Sequence, residues 1–190
     1  MGCLIPVDFK VSKTEFAGLY IIEGKLRIDE RGLFERLYCE EALISVLNSR
    51  KIAQVNHSFT KKKGTVRGLH YQTAPFEELK IVSCIVGNIF DVVLDLRPGS
   101  QTYGKSFSIT LSEDAAIHLV VPEGFAHGFQ TLTKNVHMIY FHTAPFVQEA
   151  QAGFSVMSDE VRSLWPIPIS IISSRDESLP LFSKFGGFDL

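Results

Sequence analysis

The stretch Asn88-Ile89-Phe90-Asp91-Val92-Val93-Leu94-Asp95-Leu96-Arg97-Pro98-Gly99-Ser100 decides the fold class. Phe90, Val92, Leu94 and Leu96 fall on one face of an extended chain, and Asp91, Val93, Asp95 and Arg97 on the other, before a Pro-Gly turn. Working outward, similar short apolar runs occur at 18–29, 79–87, 106–112, 116–124, 128–133 and 137–143. Many short strands punctuated by Gly or Pro at intervals of roughly 8 to 12 residues predict a mainly β fold with a few short helices, built as a sandwich or barrel. Among these a jelly roll is expected. The one clear helix signal is residues 39–50, with Ala42, Leu43, Val46 and Leu47 at helical spacing and acids in the first turn. The less regular segment from Ser158 onward is expected to wrap the edge of the sandwich.

The 190 residues suit a single domain spanning 1–190, because that length buries roughly two-thirds of its unfolded surface around one core. A net charge of -2 excludes a general polyanion binder, so no nucleic-acid partner is expected and an anionic ligand would need a local basic cluster. No segment approaches the roughly 20 apolar residues that span a bilayer. Cys3, Cys39 and Cys84 are odd in number and irregularly spaced, which fits reduced thiols rather than a disulfide framework or a zinc site. A cytoplasmic protein without a membrane partner is the expectation.

Candidate chemistry gathers at 29–32, 54–58, 67–72 with Lys80 downstream, 122–129 and Tyr140, with Asp176 more remote. Strict alternation puts Arg67, Leu69 and Tyr71 on one side of a strand, and Gly68, His70 and Gln72 on the other. His70 by itself is open to three readings: a structural histidine, a metal ligand or a base. The spacing His70-x-Gln72-x4-Glu77 with a later His127 matches a cupin metal motif, except that Gln72 offers a neutral amide where imidazole is usual. Alternatively, an imidazole oriented by a carboxylate is a suitable base near neutral pH. Lys80 or Arg67 could then stabilise an enolate, and Tyr140 could return a proton from the other face. His57, His118, His137 and His142 are expected to stand outside the chemistry.

The runs "RGLHYQ" (67–72), Lys80, "GNIFDVVLDLRPGSQTYG" (87–104), "VPEGFAHGF" (121–129), "SDEVRSLWP" (158–166) and "ISSRD" (172–176) resemble the dTDP-4-dehydrorhamnose 3,5-epimerase family, in order from about Asp29 to Leu181. Those proteins are cofactor-independent cupins acting on nucleotide-linked 4-keto-6-deoxy sugars. The resemblance implies an isomerase of deoxysugar biosynthesis that needs neither metal nor cofactor. His70 would be the base, Asp176 its carboxylate partner, Lys80 the group steadying the enolate oxygen and Tyr140 the acid. Arg67 and His127 match positions lining the sugar and phosphate region, and Arg31, Gln54 and Asn56 match positions that hold the nucleotide. A homodimer is implied, with an N-terminal strand crossing to the second subunit.

Two positions depart from the family pattern. Arg36 stands where a base-contacting glutamate is expected, and a guanidinium only donates where a carboxylate accepts. Pro145-Phe146 replaces a Tyr-Tyr pair, leaving Phe146 to stack on the base. These changes open cytidine and guanosine sugars beside the thymidine one. A metal-dependent cupin oxygenase or isomerase and a catalytically silent sugar-nucleotide binder are the alternatives of other classes.

Overall fold

A computed structural model describes residues 9–184; Cys3 and the extreme N-terminus lie outside the described residues. The strands are β1 (Lys10–Lys13), β2 (Tyr20–Glu23), β3 (Arg27–Asp29), β4 (Gly32–Phe34), β5 (Gln54–Thr60), β6 (Val66–Gln72), β7 (Lys80–Val86), β8 (Asn88–Asp95), β9 (Ser106–Ser112), β10 (Ile117–Val121), β11 (Phe125–Thr131), β12 (Val136–His142) and β13 (Gln151–Gly153). Helix α1 spans Glu40–Leu47 and the single-turn α2 spans Ser174–Glu177. One sheet has the order β1-β2-β10-β7-β12-β5, the other β13-β6-β11-β8-β9, and β3-β4 forms a separate hairpin. Two antiparallel sheets of non-sequential order, laid face to face, make the jelly-roll sandwich that the alternation predicts.

The sandwich holds three apolar layers. Between the sheets lie Val82, Leu119, Val121 and Met138 from one side and Ile89, Val93, Leu111 and Phe129 from the other. On the outer face of the six-stranded sheet, Ile22, Ile81 and Val120 are covered by Leu43, Val46 and Leu47 of α1. On the outer face of the five-stranded sheet, Val92, Leu94 and Leu96 are covered by Phe154, Val161 and Phe182. The C-terminal segment therefore covers a face of the sandwich rather than wrapping only its edge, where β13 adds beside β6. This is why β8 carries apolar residues on both sides: alternation holds, but neither side meets water.

Helix α1 stops three residues short of the expected end. Asn48 and Ser49 take the left-handed conformation, with φ of 47° and 70°, which terminates the helix before Arg50. Strand β6 holds the second departure. In its ladder with β11, His70 faces His127 and Arg67 faces Phe129, so three steps along β6 match two along β11. That extra residue is a bulge, and it carries Gly68 at φ +120°. Strict alternation consequently fails here, and Arg67 and His70 come to share the inner side.

Candidate active site

A cavity of about 570 Å³ opens between the sheets. One wall is the five-stranded sheet, contributing Arg67, His70 and Gln72 from β6 and His127 from β11. The opposite wall is the six-stranded sheet, contributing Gln54, Asn56 and Ser58 from β5, Lys80 from β7, and Tyr140 and His142 from β12. Asp176 on α2 and Phe146 after β12 complete the lining.

His70 Nε2 lies 2.7 Å from Asp176 Oδ1. The second carboxylate oxygen accepts from the Gly68 N–H at 3.3 Å, and the Asp176 N–H is capped by Ser173 Oγ at 3.1 Å. Burial alone would push the Asp176 carboxyl up, but the hydrogen bond and charge of His70, the Gly68 N–H and Ser173 outweigh it and hold the carboxyl below its ordinary range. Asp176 is therefore an anion that fixes the imidazole, with Nε2–H donating to it and Nδ1 left as the acceptor.

Tyr140 sits on the other wall with its hydroxyl 3.3 Å from Ser58 Oγ. Burial pushes its phenol up, so it keeps its proton at neutral pH, the state a proton donor requires. Lys80, almost wholly buried, brings an ammonium to the same wall and pairs with Glu78 at 3.0 Å. His127 Nε2 lies 3.0 and 2.8 Å from the two oxygens of the fully buried Asp91. Burial pushes the Asp91 carboxyl up, and the facing His127 only partly opposes this. Arg67 is steadied by Thr60 Oγ1, which accepts from its Nε at 3.0 Å.

At the outer end, Gln54 Oε1 accepts the Phe146 N–H at 2.9 Å, and Asn56 Nδ2 lies 3.4 Å from His142 Nε2. The Phe146 ring is about half exposed at the rim, available to a flat ligand. Arg31 and Arg36 do not line this cavity. Arg31 stands at the tip of the β3-β4 hairpin with its side chain 85% exposed, paired to Asp29.

Gln72 resolves the metal spacing. Its Nε2 donates to the carbonyls of Phe76 and Pro145 at 2.9 and 3.2 Å, and its Oε1 accepts the Val147 N–H at 2.7 Å. The amide ties two loops to β6 and has no donor atom turned to an ion. Among the described residues no three His, Cys, Asp or Glu side chains gather into a ligand set. Glu78 was not singled out in the sequence, and His142, expected to stand outside the chemistry, also lines the cavity. The period of two that places Lys80 and Tyr140 inward places Glu78 and His142 on the same wall, one step further along each chain.

The chain matches the profile of the family described as dTDP-4-dehydrorhamnose 3,5-epimerase over residues 13–184. It is 39% identical over 177 residues to dTDP-4-dehydrorhamnose 3,5-epimerase of Sinorhizobium fredii, covering 90% of this chain and 91% of that one. It is 36% identical over 168 residues to the enzyme of that name from Shigella flexneri, covering 87% and 92%. The crystal structure of dTDP-4-dehydrorhamnose 3,5-epimerase from Bacillus anthracis, with TDP and PPi bound, superposes with a TM-score of 0.86 at 34% identity over 91% of this chain and 99% of that one. The dTDP-6-deoxy-D-glucose-3,5-epimerase of Legionella pneumophila, in complex with dTDP-4-keto-L-rhamnose, gives 0.86 at 30% identity over 93% and 94%. With this agreement in sequence and backbone across nearly the whole chain, the protein belongs to the dTDP-4-dehydrorhamnose 3,5-epimerase family.

Proposed function

We propose that this epimerase inverts C3, C5 or both in a 4-keto-6-deoxyhexose linked to a nucleoside diphosphate, through an enolate. His70 Nδ1 takes the proton from the carbon beside the ketone, and the electron pair moves onto the 4-keto oxygen. The Lys80 ammonium faces that oxygen, and Tyr140 delivers a proton to the opposite side of the same carbon. Substrate and product share one oxidation state, so the reaction needs no redox cofactor. The observation that carries the reading is the placement of His70, held by Asp176 of α2, on one sheet and of Tyr140 with Lys80 on the other. A hexose between them meets a base on one face and an acid on the other, which is what inversion requires.

Arg67 and His127 are assigned to the sugar and diphosphate, and Gln54, Asn56 and Phe146 to the nucleoside. Thymidine is the nucleoside we favour, since the Bacillus and Legionella proteins hold thymidine nucleotides. Arg31 and Arg36, which do not line this chain's own cavity, are assigned to the pocket of a second copy in the homodimer that the family resemblance implies. Ile28, Leu33 and Phe34 of the β3-β4 hairpin, and Val55 and Phe59 on the edge strand β5, are exposed apolar side chains that a homodimer would cover. We place the enzyme in the cytoplasm because Cys39 and Cys84 are unpaired thiols; no described helix is long and apolar enough to cross a membrane.

The test is to incubate the protein in D2O with thymidine, cytidine and guanosine diphospho-4-keto-6-deoxyhexoses and to read deuterium by NMR. Label at C3, C5 or both of the thymidine sugar supports the assignment. Binding without label at any carbon identifies a silent binder, and label abolished by a chelator identifies a metal-dependent enzyme.

A further inference from the structure

Besides His70–Asp176 and His127–Asp91, a third carboxylate–imidazole pair stands at the cavity, on the wall opposite His70. Glu78 Oε1 lies 3.0 Å from Lys80 Nζ, and Glu78 Oε2 lies 2.7 Å from His142 Nδ1. Both oxygens of one carboxylate are thus occupied, one by an ammonium and one by a ring N–H. The three side chains are each about 90% buried, and Glu78 is the carboxylate that forms an ion pair with the Lys80 ammonium among the described residues. His142 is itself held on two sides, by Asn56 at its Nε2 and by the Tyr140 ring stacked at 6.0 Å between centroids.

Lysine carries its charge on a flexible four-carbon stem with three rotatable donors, so its sequence position does not fix where the ammonium points. An ammonium that meets an enolate oxygen helps only if it waits in place before the charge develops. Burying it alone is also costly, and a nearby carboxylate offsets that cost. Burial alone would push the Glu78 carboxyl up, but the hydrogen bond from His142 and the charges of Lys80 and His142 outweigh this, so it stays ionised below the ordinary range. A free carboxylate rotor would hold the ammonium loosely, and the bond from His142 removes that freedom.

We propose that Glu78 is a positioning residue that aims the Lys80 ammonium at the enolate oxygen, and that His142 locks Glu78 by occupying its second oxygen. The inference rests on the role given to Lys80 under the proposed function. It assigns work to two residues that neither the family resemblance nor the motif spacing singles out.

The experiment is a double-mutant cycle read as kcat and KM for epimerisation of the thymidine diphospho-4-keto sugar. Glu78→Gln and His142→Phe, which keeps a ring but no donor, are each made alone and in a Lys80→Gln background. We expect each single variant to lose about 10- to 100-fold in kcat with KM nearly unchanged, the scale of a misaimed group. Neither should lower kcat further once Lys80 is gone. Equal losses in the two backgrounds, or a loss confined to KM, would overturn the inference while leaving Lys80 in its role. Full kcat in Lys80→Gln alone would overturn both. Should Glu78→Gln fail to fold, His142→Phe carries the same cycle, because it removes the donor at the second carboxylate oxygen without leaving Lys80 unpaired.

Discussion

His70 Nε2 and Asp176 Oδ1 are 2.7 Å apart although 106 residues of chain separate them. The pair exists because the C-terminal segment lies across the five-stranded sheet and sets α2 against β6. Asp176→Asn replaces an anion by an amide whose oxygen or N–H meets the ring, so His70 loses its fixed tautomer and the stabilisation of its protonated form. Deuterium exchange into the 4-keto sugar should fall by roughly 100-fold or more with binding retained. Exchange at the wild-type rate would remove Asp176 from the mechanism.

In the proposed mechanism Tyr140 acts after the proton has left carbon. Tyr140→Phe should therefore cut net epimerisation, by about 100-fold, far more than it cuts solvent exchange. The two rates are read from one NMR time course in D2O, and an equal loss in both would count against Tyr140 as the returning acid.

The bulge at Gly68 is a tight crossing of two backbones. A Cβ there would lie 2.6 Å from Gly128 Cα and 2.7 Å from the His127 carbonyl oxygen, at φ +120°. Gly68→Ala must part β6 from β11 at the rung that carries His70 and His127. We expect a stability loss of about 3 kcal/mol or more, measured by urea denaturation, and lost activity even in the fraction that folds.

His118 is buried on the outer face of the six-stranded sheet, with neither ring nitrogen hydrogen-bonded among the described residues and Glu35 at 3.5 Å. Burial pulls its imidazole down from 6.5 to about 4. The unfolded chain therefore binds a proton between those values while the folded chain does not, so stability is complete above pH 6.5 and falls as pH drops toward 4. The loss is at most about 3.5 kcal/mol. Glu35 works in the opposite sense, because burial pushes its carboxyl up. The check is thus the difference between wild type and His118→Leu in thermal unfolding at pH 7.5 and pH 4.5. The variant should lose less on acidification; an equal loss would exclude His118 as the source.

The sequence by itself determined the class of fold, because a period of two in β8 and its neighbours is a property of local backbone geometry. It also supplied the candidate reactive side chains: their order along the chain resembles one family closely enough to propose His70, Lys80, Tyr140 and Asp176. What it could not carry was any relation that depends on the sheets meeting. The side of β6 on which Arg67 lies turned on a one-residue bulge, visible only against β11. The burial of both faces of β8 turned on where the C-terminal segment came to rest. Gln72 reads as a weak metal ligand until two loops are seen to consume its amide. Glu78 and His142 look like ordinary polar residues until β7 and β12 pair and bring them to Lys80. Local periodicity is encoded within a few residues, whereas hydrogen-bond partners are chosen by long-range packing, and only the folded chain brings them within reach.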